Sequence, residues 1–307
     1  MKRIDIARKA CIAPERFVAE HMAGVGLPVV VTDAMDAWPA LSKWSFQFLR
    51  ESYGRDFATA SAGLYSEVAQ LTTVGAYVEF LENPGRSLPG FWISERDGRP
   101  LRAKPAEGVD PLYLMGWEAF RKHPELYSDI EPAPYFIADW VHSLDAAVRD
   151  ILEATSGREF WSLYVGPKGT LSRLHQDFWR THSCLSQVRG SKRAILFSPD
   201  DTPFLYDGKV DPEHPDLVQF GLFAEATAYE CVLGPSEVLY IPPDWWHCVR
   251  ALDNSITVSH NFFNGSNASD YLRAIFAKLP ALARAVELTM GRSGVAPASS
   301  ARAKPET

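Results

Sequence analysis

From Glu159 to Phe263 the chain is a series of short apolar runs, each closed by glycine or proline. Glu159–Val165 leads into Gly166-Pro-Lys-Gly, Ser183–Val188 into Gly190, and Arg193–Phe197 is bounded by Pro199. Tyr229–Leu233 meets Gly234-Pro, Val238–Ile241 meets Pro242-Pro, and Ser255–Phe263 ends the series. Short strands at regular spacing with turns of this kind predict an antiparallel barrel or a two-sheet jelly roll. Residues 200–227 interrupt the series as a loop-rich insertion.

The N-terminal half has a different texture. Residues 14–23 predict a short helix with Pro14 in its first turn, and Leu27–Thr32 a short apolar strand. Ser45 can cap a helix through Tyr53 that Gly54 ends, and Thr73 another from Val74 to Glu82, stopped by Asn83-Pro-Gly. Residues 84–111, rich in glycine, proline and charge, read as a long loop beside a site. Trp117–Tyr127 and Asp145–Ala154 read as helices, with an extended segment at Tyr135–Asp139 between them. Ser269–Met290 is an amphipathic helix kinked or split at Pro280, and the last dozen residues should be disordered. The expected architecture is mainly β with flanking helices. It forms one domain over 1–295, with an α/β part at 1–155, a core at 156–265, C-terminal helices at 266–292 and a tail at 296–307.

The chain has 307 residues, 46% of them hydrophobic, enough for a large core, and no apolar run long enough to span a membrane. A net charge of −7 argues against a nucleic-acid or bilayer surface as its main business. The basic start is broken by Asp5 and followed by no long apolar stretch, so no signal peptide is expected. Cys11, Cys184, Cys231 and Cys248 form no CxxC pair and read as reduced thiols of a cytoplasmic protein.

Within the strand-rich half, His175 and Asp177 lie two residues apart, on one face if the strand is extended. His247, after Glu237–Ile241 and the Pro242-Pro turn, supplies a third donor. Two histidines and a carboxylate on one side of an iron leave positions open for a cosubstrate and O2. His260 is the rival third ligand, but it shares strand parity with Ile256, Val258 and Phe262, so packing is its expected role. A dicarboxylate cosubstrate such as 2-oxoglutarate needs a cation at its far end. Lys192 follows a Gly-Ser turn and can supply it, although alone Lys192 and Arg193 read as a solvated charged turn. Ser172 can add a hydroxyl only if a bulge re-aims it. Trp245 and Trp246 fit a cavity wall and plain packing equally well.

Taken together, Ser172-x-x-His175-x-Asp177, Gly190-x-Lys192-Arg193-x-Ile-Leu-Phe, Gly234-Pro-x-Glu-Val-Leu-Tyr-Ile-Pro-x-x-Trp-Trp-His247 and Asn261-Phe-Phe resemble the Jumonji C, or cupin-like, oxygenases. The nearest flavour is the group around the asparaginyl hydroxylase of hypoxia-inducible factor. Gly26–Val31, Met35–Ala40, Lys43-Trp-Ser and the 113–140 segment are similar to that group too, so the likeness covers roughly 15–265. The resemblance implies a double-stranded β-helix, with His175, Asp177 and His247 holding Fe(II). It implies that Lys192 and Ser172 contact the distal carboxylate of 2-oxoglutarate and Asn261 its iron-binding end. No catalytic residue beyond the metal ligands is implied. The stretch from Asp177 to Gly190 is about two residues longer than in the asparaginyl hydroxylase, and Ser183 stands near a cosubstrate-binding asparagine of that enzyme.

The expected activity is hydroxylation of a protein side chain, peptide or small molecule with release of succinate and CO2. Demethylation at an N-methyl carbon, a non-oxidative metal-binding cupin and a degenerate binding protein are the alternatives. Neither nucleic acid nor membrane is expected as a partner. The apolar stripe Leu272, Ile275, Phe276, Leu279, Leu282 and Val286 suits a homodimer, or packing on the barrel.

Overall fold

The computed structural model describes residues 1–63, 66–83, 85–94, 98–101, 111–131, 133–157, 159–278, 284 and 286–289. Its N-terminal strands are β1 (Lys2–Asp5), β2 (Arg8–Lys9), β3 (Val29–Val31), β4 (Phe57–Ser61), β5 (Val68–Thr73), β6 (Phe91–Ser94) and β7 (Tyr113–Gly116). The second half supplies β8 (Trp161–Gly166), β9 (Leu171–His175), β10 (His182–Arg189) and β11 (Lys192–Phe197). It continues with β12 (Thr227–Leu233), β13 (Val238–Ile241), β14 (Trp246–Ala251) and β15 (Ser255–Phe262).

These strands form two sheets. The smaller runs β1-β12-β11-β14-β9 and the larger β2-β3-β13-β10-β15-β8-β7-β4-β5-β6. Because side chains alternate across a strand, each sheet has two faces to cover. Leu185, Leu239 and Ile241 of the large sheet meet Ala194, Leu196, Leu233 and Val249 of the small one, and this apolar layer joins the sheets. The other face of the large sheet, with Leu163, Val165, Cys184, Val188, Val258 and Phe262, carries the helices and the largest core. The outer face of the small sheet, with Ile195, Phe197, Trp246 and Cys248, is covered by Leu205, Val210 and Phe223 of the 200–227 insertion. This is the expected mainly-β jelly-roll core with flanking helices.

The helix starts follow local chemistry. Ser45 accepts from the Phe48 amide and Thr73 from the Ala76 amide, capping Phe46–Tyr53 and Val74–Glu82. Asp145 does the same for Ala146–Ser156, and Gly157, at φ 64°, ends that helix in the left-handed conformation glycine favours. Residues 14–22 make one α-turn and then a π-helix.

Four expectations change. The 84–111 stretch is not all loop, since β6 pairs with β5 there; residues 84, 95–97 and 102–110 lie outside the described residues. β1, β2, β4, β5, β7 and β14 are strands that the sequence did not lead us to expect. Tyr135–Asp139 is turn and irregular backbone, not an extended strand. The strand bearing His175 ends at that residue, so Asp177 stands just beyond it. The C-terminal helix is described as Ala268–Lys278, with Tyr271, Leu272 and Ile275 in the main core; Pro280 and the 296–307 tail lie outside the described residues.

Candidate metal and cosubstrate site

β9 and β14 are antiparallel neighbours, with His247 directly opposite His175. Their rings lie 4.1 Å apart between centroids. Each ring donates from Nδ1 to a backbone carbonyl two residues earlier, His175 to Arg173 at 2.6 Å and His247 to Trp245 at 3.1 Å. Those bonds fix the tautomer and turn both unprotonated Nε2 atoms toward Asp177 Oδ1, 3.9 Å from each. That distance is beyond a hydrogen bond, yet shorter than about 4.2 Å, twice a usual metal–donor length, so one ion fits between the donors. All three donor atoms lie within 4.8 Å of one another. The residues present suit a divalent transition metal with two imidazoles and a carboxylate, the pattern of a facial iron site.

A single residue ties the two donor segments together. Asp244, at φ 62° in the Pro-Pro-Asp-Trp-Trp-His turn, accepts a 2.6 Å bond from Gln176 on its backbone oxygen. Its carboxylate takes Arg180 Nε at 2.6 Å. Residues on both sides of Asp177 are thereby fastened to the turn that delivers His247. Trp179 and Arg180 both have positive φ, 50° and 58°, which is costly for a bulky side chain and marks this loop as over-determined by its surroundings.

Lys192 opens β11 and is 3% exposed, so it is not a solvated turn residue. Its ammonium donates to the Tyr113 hydroxyl at 2.6 Å. Among the described residues it has no ion pair, and burial pulls its pKa down to about 7. An unpaired buried ammonium is costly and fits a place where an anion binds. Lys192 and His247 share the inner face, four ladder positions apart along the β11–β14 pair. Ser172 lies opposite Val249 next to a register shift in the β9–β14 pair, and is buried. Asn261 lies opposite Ser183, and its amide donates to the Thr181 hydroxyl at 3.1 Å.

His260 faces away from this site. It stacks on Trp161 at 3.6 Å and bonds Asp139 at 2.9 Å on the helix side of the large sheet. Trp245 and Trp246 pack into the inter-sheet and outer cores, each with its indole N–H bonded, to Val25 and Thr202. Cys248 belongs to the outer core, where burial pushes its thiol up to about 12. Sequence reasoning missed Tyr113 and Asp244 as site residues. Nothing in their local pattern marks them, because only strand pairing brings them to the site.

A family profile described as a cupin-like domain matches residues 104–268, more than half of the chain. The chain belongs to the cupin-like domain family. Among curated relatives, lysine-specific demethylase 8 of Xenopus tropicalis is 28% identical over 264 residues, 83% of this chain and 52% of that protein. The protein of the same name in Danio rerio is 30% identical over 270 residues, 83% and 57% of the two chains. The 2-oxoglutarate and iron-dependent oxygenase JMJD4 of Danio rerio is 30% identical over 185 residues, 57% of this cupin-like chain and 42% of the relative. The chain thus spans about half the length of these relatives. The chain is similar to these demethylases and to this 2-oxoglutarate and iron-dependent oxygenase, and none of the three is named as an asparaginyl hydroxylase.

Proposed function

We propose that this chain is an Fe(II)- and 2-oxoglutarate-dependent oxygenase that hydroxylates a protein side chain, a peptide or a small molecule. The observation that carries the proposal is the pairing, on one inner face, of the His175–Asp177–His247 donor set with the Lys192 ammonium, which has no ion pair among the described residues. Four ladder positions amount to about 13 Å of strand, room for a short dicarboxylate between the metal donors and the end of a lysine side chain.

In this reading His175, Asp177 and His247 hold the metal. Lys192 and Tyr113 receive the distal carboxylate, with Ser172 beside them and Asn261 nearer the metal. Bound there, Fe(II) and 2-oxoglutarate supply the reaction with O2 that yields succinate, CO2 and a hydroxylated substrate carbon. The protein's share is to fix the donors and keep the site dry. Backbone carbonyls lock both imidazole tautomers, Asp244 ties the donor loops, and the apolar layer of Leu185, Leu196 and Val249 closes the space between the sheets. The demethylase names among the relatives favour a second reading within the same chemistry. Hydroxylation of an N-methyl carbon gives a hemiaminal that breaks to formaldehyde and the free amine. A non-oxidative cupin has no evident use for Lys192.

The test is anaerobic titration with Fe(II) and 2-oxoglutarate, then succinate measurement on admitting O2. Wild type should bind both and release succinate, His175→Ala should lose the metal, and Lys192→Ala should keep metal but bind 2-oxoglutarate weakly. Metal binding without 2-oxoglutarate binding would overturn the oxygenase in favour of a non-oxidative cupin. Binding of neither would leave a scaffold.

A further inference from the structure

Asp177 stands in no strand. Residues 176–181 carry it, between the end of β9 at His175 and the start of β10 at His182. Trp179 and Arg180 are consecutive left-handed residues, neither of them glycine, so the loop keeps its shape only where its neighbours hold it. Asp244 grips it from the turn that delivers His247. A second hold comes from the start of the C-terminal helix Ala268–Lys278.

Asn267 precedes that helix and is 6% exposed. Its backbone carbonyl accepts the first helical bonds, from the amides of Asp270 at 3.0 Å and Tyr271 at 2.9 Å, which makes it the N-cap residue. An N-cap asparagine ordinarily turns its side-chain oxygen onto an amide of its own first turn. Here Oδ1 accepts instead from the Asn264 amide at 2.9 Å, and Nδ2 donates to the Arg180 carbonyl at 2.8 Å. These partners fix the orientation of the carboxamide, since an amide N–H needs an oxygen and a carbonyl needs a donor. Asn264 is itself locked, its Oδ1 accepting from the Ser266 amide at 2.9 Å and the Ser266 hydroxyl at 2.7 Å. That hydroxyl also bonds Nε2 of His182, the first residue of β10, at 3.0 Å. The far end of the donor loop is thus tied twice to the segment that starts the helix. Around these bonds the Trp179 ring meets Tyr271 edge-on at 6.3 Å, and Asp270 lies 3.6 Å from the Arg180 guanidinium. The helix directs its cap side chain to the metal-donor loop, not to its own amides.

We propose that Asn267 is a positioning residue for Asp177, and that docking of the C-terminal helix and binding of the metal are linked through its bond to Arg180. The proposal rests on the metal-site part of the oxygenase reading. Asn267 acts through the backbone of the donor loop, three residues beyond Asp177. Linkage makes the effect run both ways. A docked helix favours the metal, and the metal favours the docked helix by the same factor.

Asn267→Asp separates positioning from stability. Aspartate caps a helix as well as asparagine does and suits the positive end of the helix dipole, but it sets an oxygen against the Arg180 carbonyl. The experiment is anaerobic titration of the whole chain with Fe(II) and, separately, with Co(II), whose visible absorption reports its donor set. Thermal melting of the metal-free proteins accompanies it. Asn267→Asp should melt near wild type, bind either metal roughly tenfold more weakly, and change the Co(II) spectrum. Hydrogen exchange supplies the reverse arm. In wild type, Co(II) should slow exchange of the Ala268–Lys278 amides more than that of the Phe46–Tyr53 helix, and the excess should vanish in Asn267→Asp. If Asn267→Asp does not fold, the wild-type exchange arm decides. Metal affinity within about twofold of wild type in the folded variant, or equal added protection of the two helices in wild type, overturns the proposal. Succinate release measured in parallel separates it from the oxygenase reading. Turnover with unchanged metal affinity in Asn267→Asp sinks the positioning role alone. Linked metal binding without turnover sinks the oxygenase alone, and a wild type that binds no metal sinks both.

Discussion

Lys192 makes the sharpest statement a single residue makes here. In the free protein, burial alone holds its pKa at about 7, far below an ordinary lysine. A bound carboxylate restores the charged form, so the bound state has the higher pKa and the linkage has a definite sign. Affinity for 2-oxoglutarate should be greatest below about pH 7 and fall as pH rises above it, with a proton taken up on binding. Calorimetry in buffers of different ionisation enthalpy, from about pH 6 to about pH 9, checks this. A pH-independent affinity with no proton uptake would show that Lys192 does not face the ligand. The sequence marks Lys192 through its position after the Gly-Ser turn. It does not mark Tyr113, the one hydrogen-bond partner of the ammonium among the described residues, because a tyrosine seventy-nine positions away has no local signature.

At the scale of elements, the donor loops are held by what surrounds them. Asp244→Asn keeps a side chain that tolerates positive φ and the backbone acceptor for Gln176, but removes the charged bond to Arg180. Fe(II) affinity should fall roughly tenfold, as is usual for groups that orient ligands. Stability should change by under about 1 kcal/mol, since the pair is partly exposed. Metal titration beside urea denaturation separates the two effects, and unchanged metal affinity would mean that Asp177 is placed without this clamp. The elements themselves were unevenly legible. Capped helices and the apolar strands β10 to β13 and β15 carry their signals locally, while β14 does not. β4 and β5 do not, because Ser61, Gln70 and Thr72 are polar yet buried, which blurs the alternation that marks a half-buried strand.

The whole molecule is layered: helices, large sheet, inter-sheet core, small sheet, insertion. The C-terminal helix Ala268–Lys278 packs into the core between the helices and the large sheet, with Tyr271 stacked on Phe263 at 4.1 Å and Ile275 fully buried. Ile275→Ala should cost about 2–5 kcal/mol by leaving a cavity, read as a lower urea midpoint with an unchanged slope. A near-neutral result would mean that the helix docks loosely. On the described part of that helix, Phe276 remains exposed among the apolar stripe. A homodimer through the C-terminal helices stays a proposal that sedimentation can test. Local sequence determined the strand-rich half, its turns, the helix caps, and the residue types and order of the donor set with its lysine, because each depends on neighbours a few positions away. Only the tertiary structure decided that a ten-stranded sheet joins the N-terminal half to the core. It also set Tyr113 on Lys192 and made Asp244 the tie between donor loops. Those facts depend on pairing between strands and helices distant in sequence, where long-range register, not local pattern, chooses the neighbour.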